Sequence, residues 1–257
     1  MRKLTSSFWM KMYEEAHILG ELLRSATSSI EGGALAFSGG LDSGILAYLL
    51  RGRITAYTAG IPGSRDIKNA AEAAKILGIP LKTIEVDEKD IIRGIKFLKS
   101  IDESITPVEI SFELPLYFVS LYSSENRIIT GQGADELFGG YKKYLEYPER
   151  MNEDLSRLME KTIHRERKIV QELGKELMTP YLHPEIVRFA QSLSPEMKIH
   201  NGIRKYILRN AAMILGVPQE IINMEKKAAQ YGSGIWKMMK KMAKQREMSV
   251  EDLVKSL

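Results

Sequence analysis

The residues whose types and spacing speak most directly of chemistry are Ser38-Gly39-Gly40-Leu41-Asp42-Ser43. Two adjacent glycines let the backbone approach a ligand closely, and a helix starting near Leu41 points unpaired N–H groups and its positive dipole end at that ligand. The pattern asks for an anion. Ser38 and Ser43 can donate hydroxyl hydrogen bonds to phosphate oxygens. Asp42 would repel phosphate unless a cation stood between them, and Mg²⁺ is the cation that usually does so. The competing reading is a tight strand-to-helix turn with incidental serines. The Gly-Lys-Ser/Thr ending of a Walker loop is missing, so γ-phosphoryl transfer is not implied.

Such a loop needs a strand before it and a helix after it. Gly33 to Phe37 is a short apolar run, and Leu41 to Leu50 continues as a helix. The unit recurs: Ile54 to Ala59 predicts a strand, Asp66 to Leu77 a helix with Gly78 as its C-cap, and Leu81 to Val86 another strand. A helix near Glu88 to Ser100 and an apolar segment from Ile110 to Leu121 precede a fourth strand at Arg127 to Thr130. Strands alternating with helices imply a parallel sheet with right-handed crossovers. Ahead of it, Phe8, Met12, Ala16, Leu19 and Leu23 recur at helical spacing.

From Lys142 onward the strand pattern stops, and Leu155 to Leu173, Pro184 to Leu193, Lys205 to Leu215 and Ile235 to Met248 read as helices. The expected class is therefore α/β, a parallel twisted sheet followed by a helical C-terminal half. The expected division is an N-terminal helix over 1–30, an α/β core over 31–141 and a helical portion over 142–257. In an open parallel sheet, ligands bind beyond the carboxyl ends of the strands. The loops after the first, second and fourth strands should then converge at one edge.

Composition narrows the classes. The 257 residues suit one large domain, or a nucleotide-binding domain carrying a helical lobe. No run of about 18 apolar residues and no leader-like N-terminus is visible, so a soluble cytoplasmic protein with no membrane partner is expected. There is no cysteine, which excludes disulfides, thiolate metal sites and cysteine nucleophiles. The net charge of +4 is small for the length, and the basic stretches Lys161 to Lys168 and Lys237 to Arg246 carry apolar residues at helical spacing. These are solvated helix faces, and nucleic acid is not an expected partner. The histidines are scattered without metal-ligand spacing.

Residues 38 to 43 resemble the signature of the PP-loop, or N-type, ATP pyrophosphatases, which cut ATP between the α and β phosphates. Two further stretches resemble the synthetase domain of asparagine synthetases. They are Ala59-Gly60-Ile61-Pro62-Gly63-Ser64-Arg65-Asp66 and the long, specific Thr130-Gly131-Gln132-Gly133-Ala134-Asp135-Glu136-Leu137-Phe138-Gly139-Gly140-Tyr141. Pro180-Tyr181-Leu182, Lys205-Tyr206-Ile207-Leu208-Arg209 and Lys226 with Gly232-Ser233-Gly234 follow in that family's order, so the resemblance covers roughly residues 33 to 236.

The resemblance implies a PP-loop type sheet, of the adenine nucleotide alpha hydrolase-like kind. It implies that ATP is held by Ser38, Gly39, Gly40, Leu41, Asp42, Ser43, Ala59, Gly60, Thr130 and Gly131, with Mg²⁺ on Asp42 and Asp135. For Asp135 the competing reading is a helix N-cap. Lys205 and Lys226 are the implied catalytic lysines; the alternative for Lys205 is an exposed helix lysine. A fixed cation there suits adenylation, which builds charge on the α-phosphate and departing pyrophosphate.

Three positions depart from the asparagine synthetase pattern. Gln132, the catalytic position of the acyl-substrate pocket, stands where that family has glutamate; an amide cannot serve as general base. β-Lactam synthetases also depart from glutamate there. Met178 falls where the family usually has arginine, and His183 where it has aspartate. The glutaminase domain of the glutamine-using enzymes works through a cysteine, which this chain lacks. The expected activity is therefore adenylation of a carboxylic acid, aspartate or a related one. Ammonia, delivered free or by a separate glutaminase subunit, is the expected nitrogen donor. Rivals are a different acid or an intramolecular nucleophile, and an ATP-binding sensor or subunit without chemistry.

Overall fold

The computed structural model describes residues 6–224 and 232–257. The site rests on a five-stranded parallel sheet built from β1 (Gly33–Ala36), β2 (Ile54–Gly60), β3 (Leu81–Glu85), β4 (Arg127–Ile129) and β5 (Glu176–Met178), in the order β3-β2-β1-β4-β5. The chain winds outward from β1 through β2 to β3, then returns to place β4 on the other side of β1. That reversal opens a crevice between the ends of β1 and β4, the place where open α/β sheets take their ligands.

Strand residues alternate between two apolar layers, as the pleat requires. Leu35, Ala56 and Ile129 join a core with α1 (Ser6–Ser28), α2 (Leu41–Leu49), α3 (Arg65–Leu77), α11 (Tyr206–Leu215) and α12 (Gln219–Asn223). Ala34, Tyr57 and Ile128 face the opposite core with α4 (Glu88–Ile101), α5 (Pro107–Tyr122), α8 (Ile163–Glu172) and the helices Ile235–Gln245 and Val250–Ser256. Met12, Ala16, Leu19 and Leu23 of α1 are buried, and α1 packs on α11. Gly78 closes α3 in the left-handed conformation, with φ 63°.

The structure corrects the expectation that strands end at Lys142. β5 pairs with β4 through Arg127–Glu176 and Ile129–Met178, and a two-residue ladder joins β6 (Ile199–His200) to β7 (Ile203–Arg204) around Asn201-Gly202. Three residues reading Glu-Leu-Met have neither alternation nor β-branching; their extended form comes from the edge of β4 rather than from their own propensity. The segment expected to be one helix from Leu155 to Leu173 is α7 (Arg150–Arg157), a π turn over Leu158–Thr162, and α8. The apolar run Ile110 to Leu121 is the interior of α5. It starts at a Thr106–Glu109 capping box and is buried on most sides, which erases the usual helical period.

Candidate functional site

Of the three loops expected to converge, those after β1 and β4 meet at one buried lysine. Lys205 leaves β7 just before α11, and its Nζ lies 2.7 Å from both carboxylate oxygens of Asp42 and 2.6 Å from Asp135 Oδ1. Only 5% of Lys205 and 4% of Asp42 remain exposed, so the exposed-helix alternative for this lysine is overturned. The N-cap reading of Asp135 also fails, since Gly133 holds that position in α6 (Ala134–Phe138). Lys205 adopts φ 56°, ψ 37°, the left-handed region that costs a non-glycine residue roughly 1–2 kcal/mol. At Gly140 any Cβ would overlap the Asp135 carboxylate and the Lys205 stem, so glycine there is a packing requirement.

The loop from Ser38 to Ser43 wraps the start of α2. Gly39 has φ 74°, and a Cβ on it would lie 2.5 Å from the Asn69 carbonyl oxygen. The hydroxyls of Ser38 and Ser43 stand 3.4 Å apart, and the Gly40 N–H donates to Ser38 Oγ at 3.4 Å. No side chain caps α2, whose first N–H groups remain aimed along its axis. Beside them, Leu41 is buried, Gly131 sits against Asp42 and Ser43, and the Thr130 hydroxyl is buried without a hydrogen-bond partner among the described residues. Tyr181 donates from its hydroxyl to the Asp42 carbonyl at 3.0 Å. Two hard carboxylates meeting at one cation position, with an unused hydroxyl and helix N–H groups next to them, fit Mg²⁺, which takes one or two protein carboxylates and completes its shell with phosphates and water.

Ala59 and Gly60 end β2 at the same edge. The Gly60 carbonyl accepts from Val86 N–H at 3.0 Å, and Ile61 N–H donates to the Ser233 carbonyl at 2.9 Å. Ser233 backbone packs on Gly60, so the second loop is tied to the Gly232-Ser233-Gly234 segment. Lys226, the second catalytic lysine implied by the resemblance, lies outside the described residues.

Gln132 points to a residue that the sequence reading did not single out. Its Nε2 donates to Glu166 Oε1 from α8. Glu166 is 2% exposed, and its Oε2 has no hydrogen-bond partner among the described residues. Burial pushes its carboxyl well above the ordinary carboxylate range, and the nearby charge of Glu113 pushes the same way. Burial likewise raises Glu113 to about 7, opposed by Arg165, whose guanidinium lies 3.0 Å from Glu113 Oε1. The same guanidinium reaches Asp102 at 3.1 Å and Glu109 at 3.2 Å. A signal for Glu166 exists in the sequence: with Ile163, Ile169 and Val170 it occupies the apolar stripe of α8, where a carboxylate is out of place. Met178 is half-buried at the end of β5, its carbonyl accepting from Thr130 N–H at 3.0 Å, and His183 is exposed before α9 (Pro184–Ser192).

Fold and site together define an α/β protein with an anion-type glycine loop and an Asp-Lys-Asp cluster at the switch point of a parallel sheet. Residues 24–155 and 146–255 match the family model described as Asparagine synthase, and the chain belongs to that family. A Methanocaldococcus jannaschii protein, provisionally named asparagine synthetase (glutamine-hydrolyzing) 1, is 32% identical over 254 residues; the match takes in 80% of this chain and 47% of that protein. The nodule asparagine synthetase (glutamine-hydrolyzing) of Pisum sativum is 28% identical over 201 residues, covering 68% of this chain and 34% of its own. The chain thus spans about half the length of the first relative and about a third of the second. NMN synthetase from Francisella tularensis superposes with a TM-score of 0.44 at 16% identity, covering 95% of this chain and 86% of its own, a likeness too loose to build upon. Among the described residues, no helix is long and apolar enough to cross a membrane.

Proposed function

We propose that this chain is an ATP-dependent, amide-forming synthetase of the cytoplasm: it adenylates a carboxylic acid, releases pyrophosphate, and passes the acyl group to ammonia. The observation that carries this reading is the Lys205 ammonium held between Asp42 and Asp135 beside the Ser38–Ser43 loop. In adenylation a carboxylate oxygen attacks the α-phosphorus while the bond to the pyrophosphate oxygen breaks. Negative charge grows on the α-phosphate and the leaving group, and a buried, fixed cation stabilises it without reorganisation. The N–H groups at the start of α2, the hydroxyls of Ser38, Ser43 and Thr130, and the backbone at Leu41 and Gly131 bind the phosphates. Ala59 and Gly60 stand at the adenosine. Asp42 and Asp135 would hold Mg²⁺, which neutralises phosphate charge when bound.

In the second half an amine attacks the acyl carbon, AMP leaves, and one proton must be accepted. Gln132 cannot accept it, but Glu166 lies against Gln132, with one carboxyl oxygen accepting from the amide and the other without a hydrogen-bond partner among the described residues, placed to take the proton. In this reading Gln132 orients Glu166 rather than titrating itself. The division into 1–30, 31–141 and 142–257 is kept as a functional one: the core supplies the phosphate loop, the later part supplies Lys205 and Glu166, and Lys226 is retained as a second lysine.

A second reading, that the acid is not aspartate or that the nucleophile is intramolecular, is favoured by Gln132, Met178 and His183 standing together at non-family residues. Pyrophosphate release with Mg·ATP and ammonium chloride, tested with aspartate and with related acids, separates these. Release with aspartate together with asparagine formation supports the first reading; release only with another acid supports the second. No acid-dependent release with any candidate leaves an ATP-binding protein without chemistry and defeats both. With glutamine as sole nitrogen donor the isolated chain is expected to form no glutamate, since it has no cysteine nucleophile; a separate glutaminase subunit would then supply ammonia.

A further inference from the structure

We propose that Arg209 is the positioning residue that holds Lys205 in its left-handed conformation and so keeps the ammonium on the phosphate site. This rests on the reading of Lys205 as the phosphate-facing cation. Lys205 is the N-cap of α11 with φ 56°, yet its side chain caps nothing, because it is turned into the crevice toward Asp42 and Asp135. A non-glycine residue stays in that region only where its surroundings over-determine it.

Arg209, one turn into α11, supplies the constraint. Its Nε donates to the Arg204 carbonyl at 3.0 Å, and its NH1 donates to the Ile222 carbonyl. The Arg204 carbonyl belongs to the peptide plane whose nitrogen is Lys205's, and the orientation of that plane is what φ of Lys205 describes. Pinning the oxygen therefore fixes the torsion. Ile222 lies in the last turn of α12, where carbonyls have no partner inside the helix, so the second bond fastens the turn to a separate element. Arg204 pulls the other way, donating from NH1 to the Gly140 carbonyl, just past Asp135. The turn that carries Lys205 is thus stretched between α12 and the Asp135 loop. Arg209 reaches the two carbonyls from two different nitrogens of one rigid plane, a spread that the point-like ammonium of a lysine at 209 does not reproduce.

Ile207, Leu208, Ala211, Ala212 and Leu215 bury α11 independently of Arg209, so variants at 209 are expected to fold. The test has two arms on the full chain. Urea unfolding compares wild type, Arg209→Met, Lys205→Gly and the double variant. If Arg209 positions the Lys205 ammonium on Asp42 and Asp135, Arg209→Met lowers the urea midpoint less than half as much in the Lys205→Gly background, where there is no ammonium left to position. Calorimetric titration with Mg·ATP and with magnesium pyrophosphate then compares wild type, Arg209→Met, Arg209→Lys, Lys205→Met and the double Met variant. Arg209→Met is expected to weaken binding about tenfold, Arg209→Lys to fail to restore it, and the double variant to bind no more weakly than Lys205→Met alone, within about twofold. Full additivity in either arm overturns the positioning role. Coupling in urea with a wild type that binds no Mg·ATP upholds it and overturns the phosphate-site reading instead.

Discussion

The Lys205 ammonium lies 2.7 Å from both oxygens of the Asp42 carboxylate, a contact that joins residues 163 positions apart in the chain. It closes the phosphate loop of the sheet against the first turn of α11, and Asp135 completes it from the β4 side. Removing the lysine leaves two carboxylates facing each other without the cation between them, whereas removing either aspartate leaves a matched pair.

Lys205→Met is therefore expected to destabilise the metal-free chain by roughly 3 kcal/mol, because the buried Asp42 carboxylate and the partly buried Asp135 carboxylate lose their cation. Mg²⁺ should restore part of that loss by taking the vacated position. Urea denaturation with chelator and with millimolar-range magnesium measures both. A variant whose stability ignores magnesium counts against Asp42 and Asp135 as metal ligands.

Asp42→Asn and Asp135→Asn are each expected to lower turnover at least about tenfold and to raise the magnesium concentration needed for half-maximal rate. Initial rates of pyrophosphate release over a magnesium titration give both quantities. Wild-type rates in either variant remove that residue from the metal assignment.

Gln132→Glu would set a second carboxyl against Glu166 in a buried site, where two such groups cannot both ionise. The expected result is a lower thermal midpoint, with the deficit larger at pH 8 than at pH 5, since both carboxyls are neutral more often at the lower pH. Adding Glu166→Gln should restore the midpoint by re-forming a carboxyl–amide pair. If the single variant is as stable as wild type at both pH values, the Gln132–Glu166 contact does not constrain the fold. If it also makes asparagine from aspartate and ammonia faster than wild type, position 132 sets the acid specificity.

Glu113 gives a pH signature of its own. Its carboxyl is raised from 4.5 to about 7, first by burial and against the pull of Arg165. Between those two pH values the folded chain keeps a proton that the unfolded chain has lost, so this group's contribution to stability falls as pH rises from about 4.5 to about 7 and is level above that. Urea unfolding across this range should show a shallower pH slope in Glu113→Gln than in wild type. Equal slopes would mean that Glu113 is ionised in the fold throughout.

Residues 38–43 specify their own structure. Gly39 adopts the positive φ that only glycine takes cheaply, and the preceding apolar run and following helix are written in local periodicity, as is the Gly78 cap that ends α3. The first four strands and the membership of the chain in its family were legible for the same reason: each depends on neighbours within a few residues, or on a contiguous motif. Tertiary structure decided the rest. β5 is extended because β4 offers it an edge, Glu166 matters because α8 carries it to Gln132, and Lys205 becomes a buried cation because β7 and α11 deliver it to Asp42. A charged residue's own sequence cannot say whether it will face water or another charge; that depends on desolvation and pairing by groups from distant elements, and these exist only once the sheet has closed.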